Sequence, residues 1–373
     1  MTPSRGPVGV GFVGAGNVLP AYLQALDRLT PRGLAVAGPI QARRAEVRDK
    51  LLARRPDARV VERLDQVLHA EGVELVVIIT PPATHPELVR AALDAGRHVL
   101  CEKPLAPTAA EAQALFDHAR ARDRMLLAAP FVHLSPTFRR LWTLLADGAI
   151  GHVHAARAHY GNPGSSGAAW YHEDELATLG DVGTYNLKSL AALLGPVSEV
   201  RAAAAHGRRE RVLGGRTVRA RDPDTWHVLL RHAGGALSSM LASHATVRYR
   251  RPAIELYGTE GTANLLGDDW DPQGVELWRE DAQTWSVREP DDTTWLWTDG
   301  LREAVAALRD GRPPLAAPAI DVHVLEVITA AGRAARDGSA VEVASRFEPF
   351  TALRLHDRPG AHVHDRTRAA DEQ

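Results

Sequence analysis

The sequence predicts two joined folds: an α/β domain built on a parallel sheet, then an α+β domain with a large open, mostly antiparallel sheet. Three observations lead there. Up to Ala146, short β-branched runs alternate with stretches of helical spacing. Near Ile150 that alternation gives way to longer runs of alternating polarity. At 373 residues the chain also exceeds one ordinary core. The expected units are 1–128, 129–354 and a tail over 355–373, which lacks apolar periodicity and reads as mobile.

The first run, Val8 to Val13, is closed by Gly14-Ala15-Gly16-Asn17-Val18-Leu19, and helical spacing starts at Pro20. Strand, glycine turn and helix in this order suit a Rossmann-type dinucleotide-binding domain. Gly14 permits the tight turn. Gly16, with Asn17 and Val18 beside it, brings the backbone and the helix N-terminus to a pyrophosphate. Leu19 stands where a third glycine is usual. The second strand is read as Gly33 to Ala37. The acid that commonly follows it to bind a ribose is missing, Gly38-Pro39 come instead, and Arg43 and Arg44 open the next helix. Guanidinium groups suit a 2′-phosphate better than a free hydroxyl, so NAD(P) is the expected cofactor, with NADP slightly favoured.

Leu75 to Ile79 is continuously apolar, as a strand buried on both faces requires. It ends in Thr80-Pro81-Pro82, which should face the same crevice, and His85 either reaches a ligand there or caps the helix from Pro86 to Ala95. The next strand ends at Glu102-Lys103-Pro104. Only three of the 44 Lys and Arg residues are lysines: Lys50, Lys103 and Lys188. A lysine kept at a strand's carboxyl end in such a chain is a candidate site residue, because burial can lower a lysine's pKa into a useful range while arginine holds its proton; a surface lysine in an ion pair with Glu102 is the alternative. Helices over 108–122 and 136–146 flank a strand over 125–129. Alternating runs follow at 153–159, 200–205, 225–231, 236–241, 253–257 and 262–266.

A second constellation lies in Leu179-Gly180-Asp181-Val182-Gly183-Thr184-Tyr185-Asn186-Leu187-Lys188, a predicted helix closed by Gly195-Pro196. Asp181, Tyr185 and Lys188 fall at i, i+4 and i+7, on one face. A nearby ammonium would lower the tyrosine pKa toward what proton transfer near neutrality needs. A satisfied hydrogen-bond cluster with Asp181 as N-cap is the alternative.

Composition narrows the class. Hydrophobic residues are 45% and charged residues 24%, as in a globular protein. A net charge of −2 gives no electrostatic reason to expect nucleic acid or a membrane surface. The single cysteine, Cys101, excludes an intramolecular disulfide and a cysteine-built metal centre, and no metal is expected. No signal-like core and no spanning apolar run are present, so a cytoplasmic protein is expected.

Together these motifs resemble the Gfo/Idh/MocA family, the group around glucose-fructose oxidoreductase and inositol dehydrogenase. The resemblance rests on Glu102-Lys103-Pro104, Gly14-Ala15-Gly16-Asn17, Thr80-Pro81-Pro82 with His85, Gly148-Ala149-Ile150-Gly151, Asp181-x-Gly183-x-Tyr185, Tyr257 to Thr262 and His323 to Glu326. It implies hydride transfer between nicotinamide C4 and a carbon of a sugar, sugar derivative or polyol. It also implies that the open sheet forms homo-oligomers, dimers or tetramers. Lys103, Asp181 and Tyr185 are the implied catalytic residues, Tyr185 standing where a histidine is common. Glu102 then holds Lys103 or the nicotinamide ribose. Trp170, His172, Lys188 and His133 are the substrate-binding candidates, with His244 ranked behind them. The chain departs from the family pattern at 175–179, before Asp181, and at His133-Leu134-Ser135. A glycosidase working by transient oxidation, a non-catalytic NAD(P)-binding regulator and a reductase of non-sugar ketones or imines are the alternatives.

Overall fold

A computed structural model of the chain describes residues 6–164, 170–173, 176–213, 215–250, 252–315 and 318–348; the tail expected over 355–373 lies outside the described residues. The first sheet contains β1 (Val8–Val13), β2 (Ala35–Gln41), β3 (Val60–Val61), β4 (Val73–Ile78), β5 (His98–Cys101) and β6 (Leu126–Ala128). All pair in parallel, in the order β3-β2-β1-β4-β5-β6, the doubly wound order. Every residue of β1 is buried, as a central strand covered on both faces must be. The covering helices are α1 (Leu19–Leu29), α2 (Ala45–Arg54), α3 (Asp65–Leu68), α4 (His85–Asp94) and α5 (Ala109–Ala121). Thr108 caps α5 by accepting from the Glu111 amide.

β2 departs from the sequence reading. It does not stop before Gly38-Pro39 but runs on to Gln41, with a register shift opposite β1 between Val10 and Phe12. The bulge accommodates a proline that cannot donate to the ladder. A side chain at residue 38 would press on the Val10 carbonyl oxygen at 2.9 Å, so glycine is required there. The strand's carboxyl end is therefore Gln41, followed by Ala42 to Arg44, and not Gly38.

The connecting helix α6 (Pro136–Ala146) starts on the Ser135 cap. Beyond it lies a nine-stranded sheet. Its strands are β7 (Val153–Gly161), β8 (Val197–Ala205), β11 (Thr225–His232), β12 (Leu237–Ser243), β13 (Ile254–Gly258), β14 (Gly261–Asp268), β15 (Asp271–Arg279), β16 (Thr284–Arg288) and β17 (Val341–Glu342). Its order is β16-β15-β14-β13-β7-β12-β11-β8-β17, antiparallel except between β7 and β12. A separate hairpin, β9 (Glu210–Leu213) and β10 (Arg216–Arg219), was not foreseen, nor were β15, β16 and β17. Strict alternation along β11 shows one face covered and the other open. The inner face packs on α8 (Thr184–Leu194) and α10 (Pro318–Asp337). No helix among the described residues is long and apolar enough to cross a membrane.

Past β16 the chain returns to the first domain before α10 and β17 complete the second. Helix α9 (Gly300–Asp310) places Leu301, Ala304, Val305 and Leu308 in one cluster with Tyr22, Leu26 and Leu29 of α1. Arg309 donates to the carbonyls of Gly6 and Gly33 at 3.2 and 3.0 Å.

Candidate active site

The parallel sheet presents its carboxyl edge to a cavity of about 500 Å³. Its walls are the first turn (Gly14, Gly16, Asn17, Val18), the end of β2 (Gln41, Arg43, Arg44), Thr80-Pro81-Pro82, and Glu102 with Lys103. Gly14 has φ +102°, and a Cβ there would sit 3.0 Å from the Ile79 backbone. Only glycine turns the chain so tightly between β1 and β4. At Gly16 a Cβ would meet nothing nearer than 4.0 Å, so it would project into the cavity and take space from a ligand. A dinucleotide fits this arrangement: a bare backbone turn at a helix N-terminus for the pyrophosphate, exposed Arg43 and Arg44 at one end, and Lys103 at the other.

At the Lys103 end, charges from three elements converge. Glu102 is buried and accepts from the Tyr22 hydroxyl at 2.8 Å and from the Lys103 amide at 3.1 Å. The Lys103 ammonium pairs with Asp181 Oδ1 and donates to the Asp181 carbonyl at 3.2 Å. The other carboxylate oxygen, Oδ2, lies 3.0 Å from His244 Nε2. Tyr185 lies beneath, its ring centre 5.4 Å from Lys103 Nζ, and Tyr160 meets it edge-on at 5.6 Å. Among the described residues the Tyr185 hydroxyl has no hydrogen-bond partner.

Electrostatics reverse two expectations. Burial alone would lower the Lys103 pKa, but Asp181 and Glu102 outweigh it and raise it, so Lys103 is a firmly held ammonium. Burial pushes the Tyr185 phenol well above its ordinary value, with Glu102, Tyr160 and Asp181 adding to it. The expected lowering by nearby cations does not occur, because carboxylates surround the ring as closely. Asp181 is pushed up by burial, yet Lys103 and the His244 hydrogen bond hold it far below the usual carboxylate range.

Asp181 and Tyr185 share the site, but Lys188 leaves it. Residues Leu179–Gly183 form a π-helical segment ahead of α8, and this wider turn breaks the regular spacing on which a common face depends. Lys188 is 1% exposed and pairs with Asp321 of α10 at 2.5 Å. Burial pushes Asp321 up to about 6 against the pull of Lys188. His133 is also buried, with Nε2 2.9 Å from the Leu315 carbonyl oxygen, and burial holds its pKa well below the histidine norm. Neither residue lines the cavity. His85 does not line the cavity either: fully buried, its ring nitrogens lie 2.7 and 2.8 Å from the carbonyl oxygens of Pro104 and Thr80, tying the two loops together. His172 is buried behind Asp181, its ring edge-on to His244 at 5.9 Å. Trp170 opens the short helix α7 (Trp170–Glu173), and its side chain lies outside the described residues.

Four residues at the site escaped sequence reasoning or were ranked too low: Tyr22, Gln41, Tyr171 and His244. Tyr22 looks like one more apolar position of α1, and Tyr171 lines the cavity from α7. His244 had a faint signal, a histidine directly after the small-residue strand β12.

Comparison with known proteins agrees with this geometry. Residues 8–129 match the model of an oxidoreductase family with an NAD-binding Rossmann fold, GFO_IDH_MocA. Residues 138–264 match the GFO/IDH/MocA C-terminal domain. An uncharacterised oxidoreductase of Schizosaccharomyces pombe is 32% identical over 41% of this chain and 42% of its own length. D-apiose dehydrogenase of Paraburkholderia graminis is 27% identical over 75% of each chain. The matched part thus spans less than half of the first relative and three quarters of the second. Among solved structures, GenD2 from gentamicin A biosynthesis in complex with NAD superposes with a TM-score of 0.74 at 29% identity, covering 92% of this chain and 98% of that one. With both domain models matched in chain order on this architecture, the chain belongs to the Gfo/Idh/MocA oxidoreductase family, its first domain being that family's NAD-binding Rossmann domain.

Proposed function

We propose that this chain transfers a hydride between nicotinamide C4 and a carbon of a sugar, sugar derivative or polyol, acting on a CH–OH group or the corresponding carbonyl. The observation that carries the reading is that Lys103, at the end of the cavity opposite the rim arginines, gathers Asp181 and Tyr185 around its ammonium. When bound, the nicotinamide supplies or accepts the hydride; the residues described here handle everything else. Lys103 and Tyr185 are both protonated donors, the ammonium 5.4 Å from the phenol ring centre, suited to grip a substrate oxygen and to pass it a proton as negative charge develops there. Asp181 fixes the ammonium, and Glu102 fixes the loop carrying it. The similarity to D-apiose dehydrogenase supports a carbohydrate substrate.

The cofactor contacts follow from the cavity wall: Gly14, Gly16, Asn17 and Val18 for the pyrophosphate, Thr80, Pro81 and Pro82 along the middle, Glu102 and Lys103 near the nicotinamide. Arg43 and Arg44 at the exposed rim, with Gln41 in place of an acid, favour NADP over NAD. A homo-oligomer through the open sheet accounts for Leu229, Leu237 and Trp285, which are 58%, 50% and 49% exposed on its strands.

The test is a titration with NAD and NADP, then a screen of sugars and polyols by nicotinamide absorbance. Cofactor binding with turnover on a carbohydrate is expected. Cofactor retained with no redox turnover on any of them would overturn the reading in favour of the glycosidase or the regulator.

A further inference from the structure

We propose that His244 is a positioning residue acting through Asp181 on Lys103: its Nε2 pins the carboxylate toward the ammonium, and its Nδ1 takes up or releases a proton against the Thr178 hydroxyl. The charge of the row Lys103, Asp181, His244 is thereby set from its buried end. The role of this row in turnover rests on the reading above, but the proton exchange at His244 does not.

The argument is one of hydrogen-bond accounting. An ionised carboxylate only accepts, so His244 Nε2 must donate to Asp181 Oδ2 at 3.0 Å. The other nitrogen, Nδ1, is 3.3 Å from Thr178 Oγ1, which is also 3.3 Å from the Pro223 carbonyl oxygen. A hydroxyl both donates and accepts. With a neutral ring, the Thr178 hydrogen points to Nδ1. With a protonated ring, Nδ1–H donates to Oγ1 and the hydroxyl hydrogen turns to Pro223. Neither state leaves a polar group without a partner, though His244 is fully buried. One rotor thus admits a proton where burial would otherwise exclude it.

The surroundings hold the ring in place. Tyr171 and His172 of α7 meet it edge-on at 6.3 and 5.9 Å, and Arg211 of β9 donates to its carbonyl at 2.6 Å while pairing with Asp224 at 2.8 Å. The charged or titratable groups facing His244 are therefore Asp181, Tyr171, His172 and Arg211 with Asp224, and Lys103 lies beyond the carboxylate. When the ring is neutral, Asp181 serves Lys103 alone. When it is protonated, two cations share one carboxylate, and Lys103 gives up its proton more readily.

The three lysines provide a readout that needs no substrate. Lys50 is exposed and Lys188 is buried, so trace acetylation with acetic anhydride, quantified by peptide mass spectrometry, gives the reactivity of Lys103 relative to Lys50. Well below both lysine pKa values that ratio is independent of pH unless a neighbour changes charge. In the wild type it should rise severalfold as pH falls and His244 takes up its proton. In His244→Gln, whose amide still donates to Asp181 but does not titrate, the ratio should stay flat. His85, the other imidazole whose charge reaches Lys103, is unchanged in that variant. Thr178→Val, which removes the rotor, should move the rise to lower pH, and it serves as the test if His244→Gln does not fold by circular dichroism. A flat wild-type ratio, or an equal rise in His244→Gln, would overturn the proposal; so would a Thr178→Val profile identical to wild type.

Discussion

Replacing Lys103 by methionine tests the pairing at the centre of the site. The substitution keeps most of the side chain's volume and removes the ammonium, leaving the Asp181 carboxylate with His244 as its remaining side-chain partner. Removing one partner of a buried ion pair costs about 3–5 kcal/mol. Here the two side chains are 12% and 18% exposed on a cavity wall, so water reaches them, and His244 remains; about 2 kcal/mol is the expected loss. Adding Asp181→Asn removes the stranded charge and should recover about 1 kcal/mol of it. Turnover should fall on the order of 10²-fold or more in Lys103→Met and stay low in the double variant, while cofactor affinity changes much less. Urea denaturation of the wild type, both single variants and the double variant gives the stability cycle, and nicotinamide absorbance gives turnover. A double variant no more stable than Lys103→Met would refute the reasoning, because Asp181 would then carry no charge in need of a partner.

Tyr185→Phe should lower turnover by on the order of 10²-fold with stability nearly unchanged, since the hydroxyl has no partner to lose among the described residues; wild-type turnover would remove Tyr185 from the chemistry. Arg43→Ala with Arg44→Ala should weaken NADP by about tenfold and leave NAD largely unaffected in fluorescence titrations, because both arginines are exposed and solvent screening leaves each phosphate contact about 0.5–1 kcal/mol; equal loss for both cofactors would contradict the assignment of the rim arginines. Lys188→Met should cost about 3–5 kcal/mol in chemical denaturation because Asp321 is left buried and alone, with turnover per folded molecule unchanged; a specific loss of substrate affinity would return Lys188 to the site.

Much of the fold was legible because it rests on local patterns. The β-branched run of β4 and the period-two alternation of β11 each announce how many of their faces are covered. What was lost in the sequence was three-dimensional. Gly38-Pro39 looks like a stop, yet a bulge against β1 carries β2 through it, and only the partner strand makes that bulge necessary. Lys103 and Asp181 were legible as unusual residues, but their contact spans 78 positions. Lys188 leaves the face that ideal helical spacing gives it because the turns of Leu179–Gly183 are wider. The protonation states of Lys103 and Tyr185 depend on how many carboxylates surround them, a quantity no linear spacing contains.

The return of α9 to α1 bears on how this protein can be taken apart. A fragment ending at Ala128 would leave Tyr22, Leu26 and Leu29 stripped of the helix that shields them, and Gly6 and Gly33 without the Arg309 guanidinium that ties down their carbonyls. Tyr22 is the same residue whose hydroxyl steadies Glu102. Recombining halves between relatives at the apparent seam would therefore fail unless α9 travels with the first half, and a chimera that carries it should keep both the packing of α1 and the posture of the Lys103 loop.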